Sequence, residues 1–485
     1  MKKADKPNNR DYQPEAKLEV RGKVEERSNV SAGMKGEDRA HQSTQSLLYH
    51  VMSKANLNEA YQKVKQNKGA AGTDKVEVKD LFKYLQEHGE NLRQLILAEQ
   101  YAPQPVRRVE IPKPDGSGKR LLGIPTVVDR LIQQAIAQVL TPILDKGFSH
   151  YSYGFRPNKS GHQAIIQSQE YIRQGHQYVV DIDLEKFFDR VNHDKLMYLL
   201  SKKIEDKALL RLIRKYLESG VMINGVVMNT EEGTPQGGPL SPLLSNIVLD
   251  VLDKELERRG HKFCRYADDC NIYVKSQKAG ERVMTNISRF IEEELKLKVN
   301  QSKSAVDKPR NRKFLGFSFY PHKEGEKMRL HPKTLERIKM KIKAHTQRSK
   351  NQSIEERIRS LSSLIQGWVN YFRLADMKEH CQRLDEWMRR RLRMCIWKQW
   401  KKIKTKHDNL VKLGIETDKA WEYANTRKGY WHISHSPILS CTISNTYLEK
   451  EGLISFSTTY TKWLKTMNRR MPNGTYGGVR GQVVN

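Results

Sequence analysis

Long apolar runs are missing from this 485-residue sequence. No stretch approaches the roughly 20 residues that a membrane-spanning helix requires. The opening "MKKADKPNNRDYQPEAKLEV" also lacks the apolar segment of a secretory signal. A cytoplasmic chain with no membrane partner is therefore expected. Cysteine is scarce: Cys264, Cys270, Cys381, Cys395 and Cys441 include no closely spaced pair of the zinc-knuckle or zinc-ribbon kind. Reduced thiols are expected, and a cysteine-held structural zinc is not. Acidic residues are in deficit, with 56 Asp and Glu against 87 Lys and Arg, a net charge of +31. That excess suits a chain that neutralises phosphates and releases their counterions, although a merely basic soluble protein has the same composition.

Composition divides the chain into regions. Residues 1–44 are rich in Lys, Glu, Asn, Ser and Gly and read as a mobile basic tail, because they bury too little to offset ordering entropy. From "QSLLYHVMSKANLNEAYQKVKQNKGAAGTD" apolar residues recur at helical spacing, and "NKGAAGTD" ends that helix in a loop. Between about 100 and 320, strand-like runs such as "QYVVDIDL" and "CNIYVK" alternate with helical patterns. The best-marked helix has Ser241 as N-cap, Pro242 at its first position and Gly260 at its stop, with Leu244, Val248, Val251, Leu252 and Leu256 on one face. After 330 helices dominate: Ile354, Ile358, Leu361, Ile365, Trp368 and Phe372 form a seam. Residues 327–406 hold 23 Lys and Arg against 7 Asp and Glu, so about half of the net charge lies in one helical region. There "WMRRRLRMCIWKQWKKIKTKH" interleaves Trp387, Trp397 and Trp400 with cations, which suits either core packing or RNA stacking.

The chemistry starts at "HKFCRYADDCNIYVKS". Phe263, Tyr266, Ile272, Tyr273 and Val274 favour strands, so a hairpin is expected with Asp268 and Asp269 at its tip, where two carboxylates repel each other. In "VVDIDLEKFFDRVNH" an apolar strand carries Asp181 and Asp183, whose spacing puts them on one face. Carboxylates gathered from two strands call for hard divalent cations, Mg²⁺ above all. Two ions about 3.5–4 Å apart can activate a hydroxyl and stabilise a leaving oxygen in phosphoryl displacement.

With these residues in view the sequence resembles the reverse transcriptases, and most closely those encoded by bacterial group II introns together with their maturase function. The resemblance runs from about 45 to 460 and rests on an ordered series: "NKGAAGTD", "IPKPDGSGKRLLGIPT", "YSYGFRPNKS", "DIDLEKFFDRVNH", "GTPQGGPLSPLLSNI", "RYADD", "LKVNQSKS" and "FLGF". It implies an α+β right-hand polymerase: an N-terminal extension and fingers with part of the palm over 45–180, a palm on an antiparallel sheet with flanking helices over 181–325, and a helical thumb or maturase domain over 326–420. A C-terminal extension over 421–485 would contact DNA or RNA, with a flexible tail from about 468. His432 and His435 have no supporting cysteine pair, so the resemblance is to compact, class C-like members without an HNH endonuclease.

Residue by residue, the resemblance implies that Asp183, Asp268 and Asp269 are catalytic and hold two Mg²⁺ ions, with Mn²⁺ as a substitute. The backbone carbonyl of Leu184 is a further ligand and Asp181 the runner-up. Whether Asp269 binds metal directly or only supports Asp268 stays open. Lys113 and Arg120 would grip the incoming deoxynucleoside triphosphate, and Phe188 would exclude a ribonucleotide, with Phe187 beside it an ordinary core residue. Pro235, Gln236 and Gly237 would pack near the nascent base pair, and Lys303 would protonate the leaving pyrophosphate. RNA contacts are expected from Arg389, Arg390, Arg391, Arg393, Lys398, Lys401 and Lys402. The implied partners are group II intron RNA, an RNA template with a DNA primer, deoxynucleoside triphosphates and target DNA. The implied activity is copying of intron RNA with assistance to splicing and retrohoming, in a bacterial cytoplasm near the nucleoid. A free-standing reverse transcriptase in phage defence or hypermutation, and a non-enzymatic splicing cofactor, are the alternatives.

Overall fold

The first apolar-periodic stretch folds as two helices. Leu47–Val51 stops at Met52, and Ser53 caps Lys54–Asn67 by accepting the Asn56 amide proton at 3.3 Å. Lys68, at φ +45°, ends the second helix. The loop beyond is pinned: Arg130 donates to Ala70 O at 2.6 Å, and Arg107 donates to Ala71 O at 2.7 and 3.0 Å. This computed structural model describes residues 46–112, 118–223, 226–228, 232–233, 237–323 and 325–470. The expected tail over 1–44 and the glycine-rich end from 471 lie outside the described residues.

Two four-stranded sheets organise the middle of the chain. The first has the order β2-β1-β4-β5, with β1 (Val106–Pro112), β2 (Lys119–Ile124), β4 (Val221–Ile223) and β5 (Val226–Met228). Here β1 and β2 form an antiparallel hairpin, while β1 meets β4 in parallel. The central sheet is antiparallel throughout, in the order β6-β7-β3-β8, from β3 (Tyr178–Ile182), β6 (Lys262–Tyr266), β7 (Asp269–Val274) and β8 (Ala305–Asp307). Residues 270–274 of β7 are all buried, as a strand covered on both faces should be. A short hairpin of β9 (Phe317–Tyr320) and β10 (Lys327–Leu330) then leads into helices.

The helix Ser241–Arg258 differs from expectation by one residue at its start. Leu240 already has helical angles (φ −83°, ψ −29°), so Ser241 lies inside the helix and its carbonyl accepts from Ser245 Oγ at 2.7 Å. Pro242 sits in the first turn and Gly260 follows the end at φ +71°, as the sequence suggests. Leu244, Val248, Leu252 and Leu256 are buried and Val251 partly so, packed beneath the central sheet. Each such fully buried side chain contributes about 1.5–3 kcal/mol.

A second apolar core joins Pro332–His345, Ile354–Phe372 and Lys378–Gln399 to the C-terminal helices. Ile358, Leu361 and Ile365 are buried in the seam, while Trp368 and Phe372 pack at its edge. Buried Asp385 of Lys378–Gln399 accepts the amide protons of Phe456 at 2.8 Å and Ser457 at 2.9 Å, and the Ser455 hydroxyl at 2.7 Å. It thereby places a carboxylate at the N-terminus of Phe456–Arg470 and ties that helix down. Four of the five thiols, all but Cys441, are buried, and all five are free. Among the described residues no helix is long and apolar enough to cross a membrane.

Candidate active site

Register brings the acidic residues together. In the β3–β7 pair Asp181 faces Asn271 and Ile182 faces Cys270. Asp183 follows Ile182 directly, and its charge acts on both Asp268 in the β6–β7 turn and Asp269. Asp183 itself lies just past the end of β3, not within a strand as expected, because the next bridge is an isolated pairing of Leu184 with Val299. The departure from the sheet is held by hydrogen bonds. The Asp183 amide donates to Ser304 Oγ at 3.0 Å, its carbonyl accepts from the Asn300 amide at 2.8 Å, and Asn300 Nδ2 donates to Asp183 Oδ2 at 3.0 Å. Lys303 Nζ lies 3.6 Å from the same carboxylate oxygen.

The turn is held from beneath by Arg265, whose side chain is fully buried. Its guanidinium donates to both oxygens of fully buried Asp253 at 2.7 and 2.5 Å, to Asn246 Oδ1 at 3.0 Å and to Ser152 Oγ at 2.8 Å. The fifth bond goes to Ala267 O at 2.9 Å, which anchors the tip whose Ala267 has φ +56°. All five donors of the fork are therefore used. Gly154 closes on the turn from the side: a Cβ there would lie 2.2 Å from Ala267 N, so a larger residue would displace the tip.

The carboxylates feel one another. Burial raises the Asp268 carboxyl above its ordinary range, Asp183 raises it further, and Arg120 and Arg265 pull it back. Asp269 reaches solvent at the turn, yet the surrounding protein desolvates its carboxyl. Together with repulsion from Asp268, Asp181 and Asp183, and against Lys313, this pushes it up to about 7. Asp181 is engaged elsewhere. Arg312 donates to its Oδ2 at 2.6 and 2.9 Å and also to Lys303 O at 2.6 Å, so the runner-up ligand is held in an ion pair that steadies the Lys303 loop. Burial still raises the Asp181 carboxyl.

Among the described residues, no three His, Cys, Asp or Glu side chains gather tightly enough to hold an ion as they stand. The donor set nonetheless suits hard divalent cations: oxygen donors from Asp183, Asp268 and Asp269, with repulsion that a cation relieves.

The remaining expected residues surround this centre. Arg120 lies in β2, exposed, and close enough for its charge to act on Asp268. Phe188 is half-buried in the short turn Phe187–Asp189, with its ring 5.1 Å from that of buried Phe187. Gly237 has φ +127°, and a Cβ there would lie 2.7 Å from Gly123 O of β2, so this glycine permits close backbone approach. Lys113, Pro235 and Gln236 lie outside the described residues.

The basic helix uses several of its cations within the chain. Arg391 donates to Thr346 Oγ1 at 2.6 Å, Arg393 to Ile443 O at 2.9 Å and Lys398 to Arg348 O at 3.1 Å. Arg390 stacks on Trp431 at 3.9 Å and donates to its carbonyl. These four cations stitch Lys378–Gln399 to its neighbours instead of projecting freely. Lys401 and Lys402 are exposed, and Arg389 is half-buried. Trp397 is core, 1% exposed. The sequence reading missed Arg265, Asn300, Ser304 and Arg312. The first three sit inside or beside recognisable motifs, whereas Arg312 carries no local signal.

Residues 111–319 match the family described as reverse transcriptase (RNA-dependent DNA polymerase), and residues 335–414 match the group II intron, maturase-specific domain. Protein YkfC of Escherichia coli strain K12 is 33% identical over 270 residues, covering 48% of this chain and 70% of that protein. The group II intron-encoded protein LtrA of Lactococcus lactis subsp. cremoris is 38% identical over 206 residues, 42% of this chain and 34% of LtrA. The retron Ec86 reverse transcriptase of Escherichia coli is 27% identical over 248 residues, 50% of this chain and 68% of that protein.

Proposed function

The chain belongs to the reverse transcriptases, RNA-dependent DNA polymerases, that carry a group II intron maturase domain, and from that premise we propose that it extends a DNA primer along an RNA template at Asp183, Asp268 and Asp269. The observation that carries this reading is the mutual repulsion of Asp183, Asp268 and Asp269 at the end of the β3–β7 pair. In the reaction the primer 3′ oxygen bonds to the α-phosphorus of a deoxynucleoside triphosphate as the bond to pyrophosphate breaks. Divalent ions, Mg²⁺ or Mn²⁺ in its place, supply charge neutralisation and acidify the attacking hydroxyl when bound. Asp183, Asp268 and the Leu184 carbonyl would hold them, with Asp269 at the rim.

The other side chains bind, orient and exclude. Arg120 and Lys113 grip the triphosphate through charge-assisted hydrogen bonds. Phe188 occupies the space beside the sugar C2′, where a ribose hydroxyl would clash. Pro235, Gln236 and Gly237 pack near the nascent base pair, and Lys303 passes a proton to the departing pyrophosphate. Residues 45–180 serve as N-terminal extension and fingers, 181–325 as palm and 326–420 as thumb and maturase domain, with 421–485 contacting nucleic acid. The maturase region binds group II intron RNA and assists its splicing, and the polymerase copies that RNA at a DNA target during retrohoming.

Primer extension tests the polymerase reading. Full-length protein with Mg²⁺, an RNA template and a labelled DNA primer should yield cDNA, and Asp268→Ala should yield none above background. Absence of cDNA from wild type, or equal yield from the variant, sinks it. Splicing of the cognate intron at low Mg²⁺ should be faster with protein; an unchanged rate removes the maturase part alone.

A further inference from the structure

We propose that Phe155 packs against the terminal nucleotide of the primer and so holds its 3′ hydroxyl against the Asp268 turn. The inference rests on the polymerase reading and names a contact within it.

The segment that carries Phe155 is built onto the turn. Ser152 bridges Arg265, Tyr153 N donates to Arg265 O at 2.8 Å, and Arg265 N donates to Tyr151 O at 3.0 Å. Gly154 then abuts Ala267, and its carbonyl accepts from Asn246 Nδ2 at 2.9 Å. Phe155 therefore follows directly on the segment pinned to the turn that bears Asp268. Arg156 turns inward, only 6% exposed, with its Nε donating to Asp145 Oδ1 at 2.7 Å and Nη1 to Ser152 O at 3.0 Å. Phe155 turns outward and is 52% exposed.

Two features of Phe155 are unexplained by folding. Its φ is +57°, a left-handed conformation that a bulky L residue adopts only under strain, and such strain gathers at functional sites. Its ring is left in water although it is one of the larger apolar groups in the chain. The ring centre stands 6.4 Å from that of Tyr266, the residue two before Asp268, tilted by 43°. Aromatic faces hold nucleotides by stacking without reading sequence. Of the strands in the reaction, the one bearing the attacking hydroxyl must lie against the aspartate turn. The triphosphate is met by Arg120 from the β1–β2 hairpin, a separate element.

The test compares wild type with Phe155→Gly, Phe155→Leu and Phe155→Trp in the full chain. Glycine suits φ +57°, so Phe155→Gly should melt at or above the wild-type temperature. Its KM for template-primer should nevertheless rise about 10-fold or more, with KM for the deoxynucleotide unchanged. Phe155→Leu keeps bulk and strain but lacks the aromatic face and should behave likewise, while Phe155→Trp should restore the wild-type KM. A primer ending in 5-iodo-2′-deoxyuridine should photo-crosslink to Phe155, located by mass spectrometry. Wild-type KM in both Phe155→Gly and Phe155→Leu, or a crosslink arising only from a template iodouridine, overturns the proposal. Failure of wild type to extend any primer overturns the polymerase reading instead.

Discussion

Gly154 and Arg265 show how strongly single residues constrain the aspartate turn. A methyl group at Gly154 would lie 2.2 Å from Ala267 N, and backbone there cannot yield without moving Asp268. Gly154→Ala should lower single-turnover primer extension at least about 10-fold with template-primer affinity nearly kept, the response expected of misplaced reacting groups. Arg265→Leu is a different case, since it strands the Asp253 carboxylate in the core. The loss should be about 3–5 kcal/mol, read as a lowered denaturation midpoint in urea. Phe188→Ala should raise ribonucleotide incorporation relative to deoxynucleotide; unchanged rejection removes Phe188 from the sugar-selecting role. At this scale the acidic residues were legible because they stand in distinctive motifs on recognisable strands. Arg312 was not, since its partner Asp181 is 131 residues away and no local pattern links them.

Elements were legible where periodicity and caps agreed. The β6–β7 hairpin and the helix Ser241–Arg258 follow their apolar patterns closely, and only the start of that helix moves, because Leu240 is already helical. The end of β3 was not legible. Alternation continues through Asp183, but hydrogen bonds to Asn300 and Ser304 draw the chain off the strand. Composition does not reveal which cations of the basic helix meet carbonyls of their own chain. That distinction has a measurable consequence. Arg391→Ala should cost about 1–3 kcal/mol of stability, seen as a lower melting temperature. Lys401→Ala with Lys402→Ala should leave melting unchanged and weaken RNA binding, with a salt dependence shallower by about one unit for each phosphate no longer neutralised. Equal melting temperatures for the two variants would return Arg391 to the RNA surface.

The whole molecule gathers acidic residues at the end of one sheet and builds its basic helical region around a separate apolar core. Its α+β class was readable because strand-like runs and helical patterns alternate through the middle of the chain and helices follow. The packing between the C-terminal helices was not, since it depends on pairs such as Asp385 with Ser455 that lie far apart in sequence. The central claim is that Asp183, just past the end of β3, and Asp268, in the β6–β7 turn, act as one catalytic unit. Single-turnover primer extension by Asp183→Asn, Asp268→Asn and the double variant measures that directly. Each single variant should lose about 10³-fold or more in rate, and the double should lose little beyond either, as members of one unit do. A near wild-type rate in either single variant, or losses that multiply in the double, would overturn the shared site.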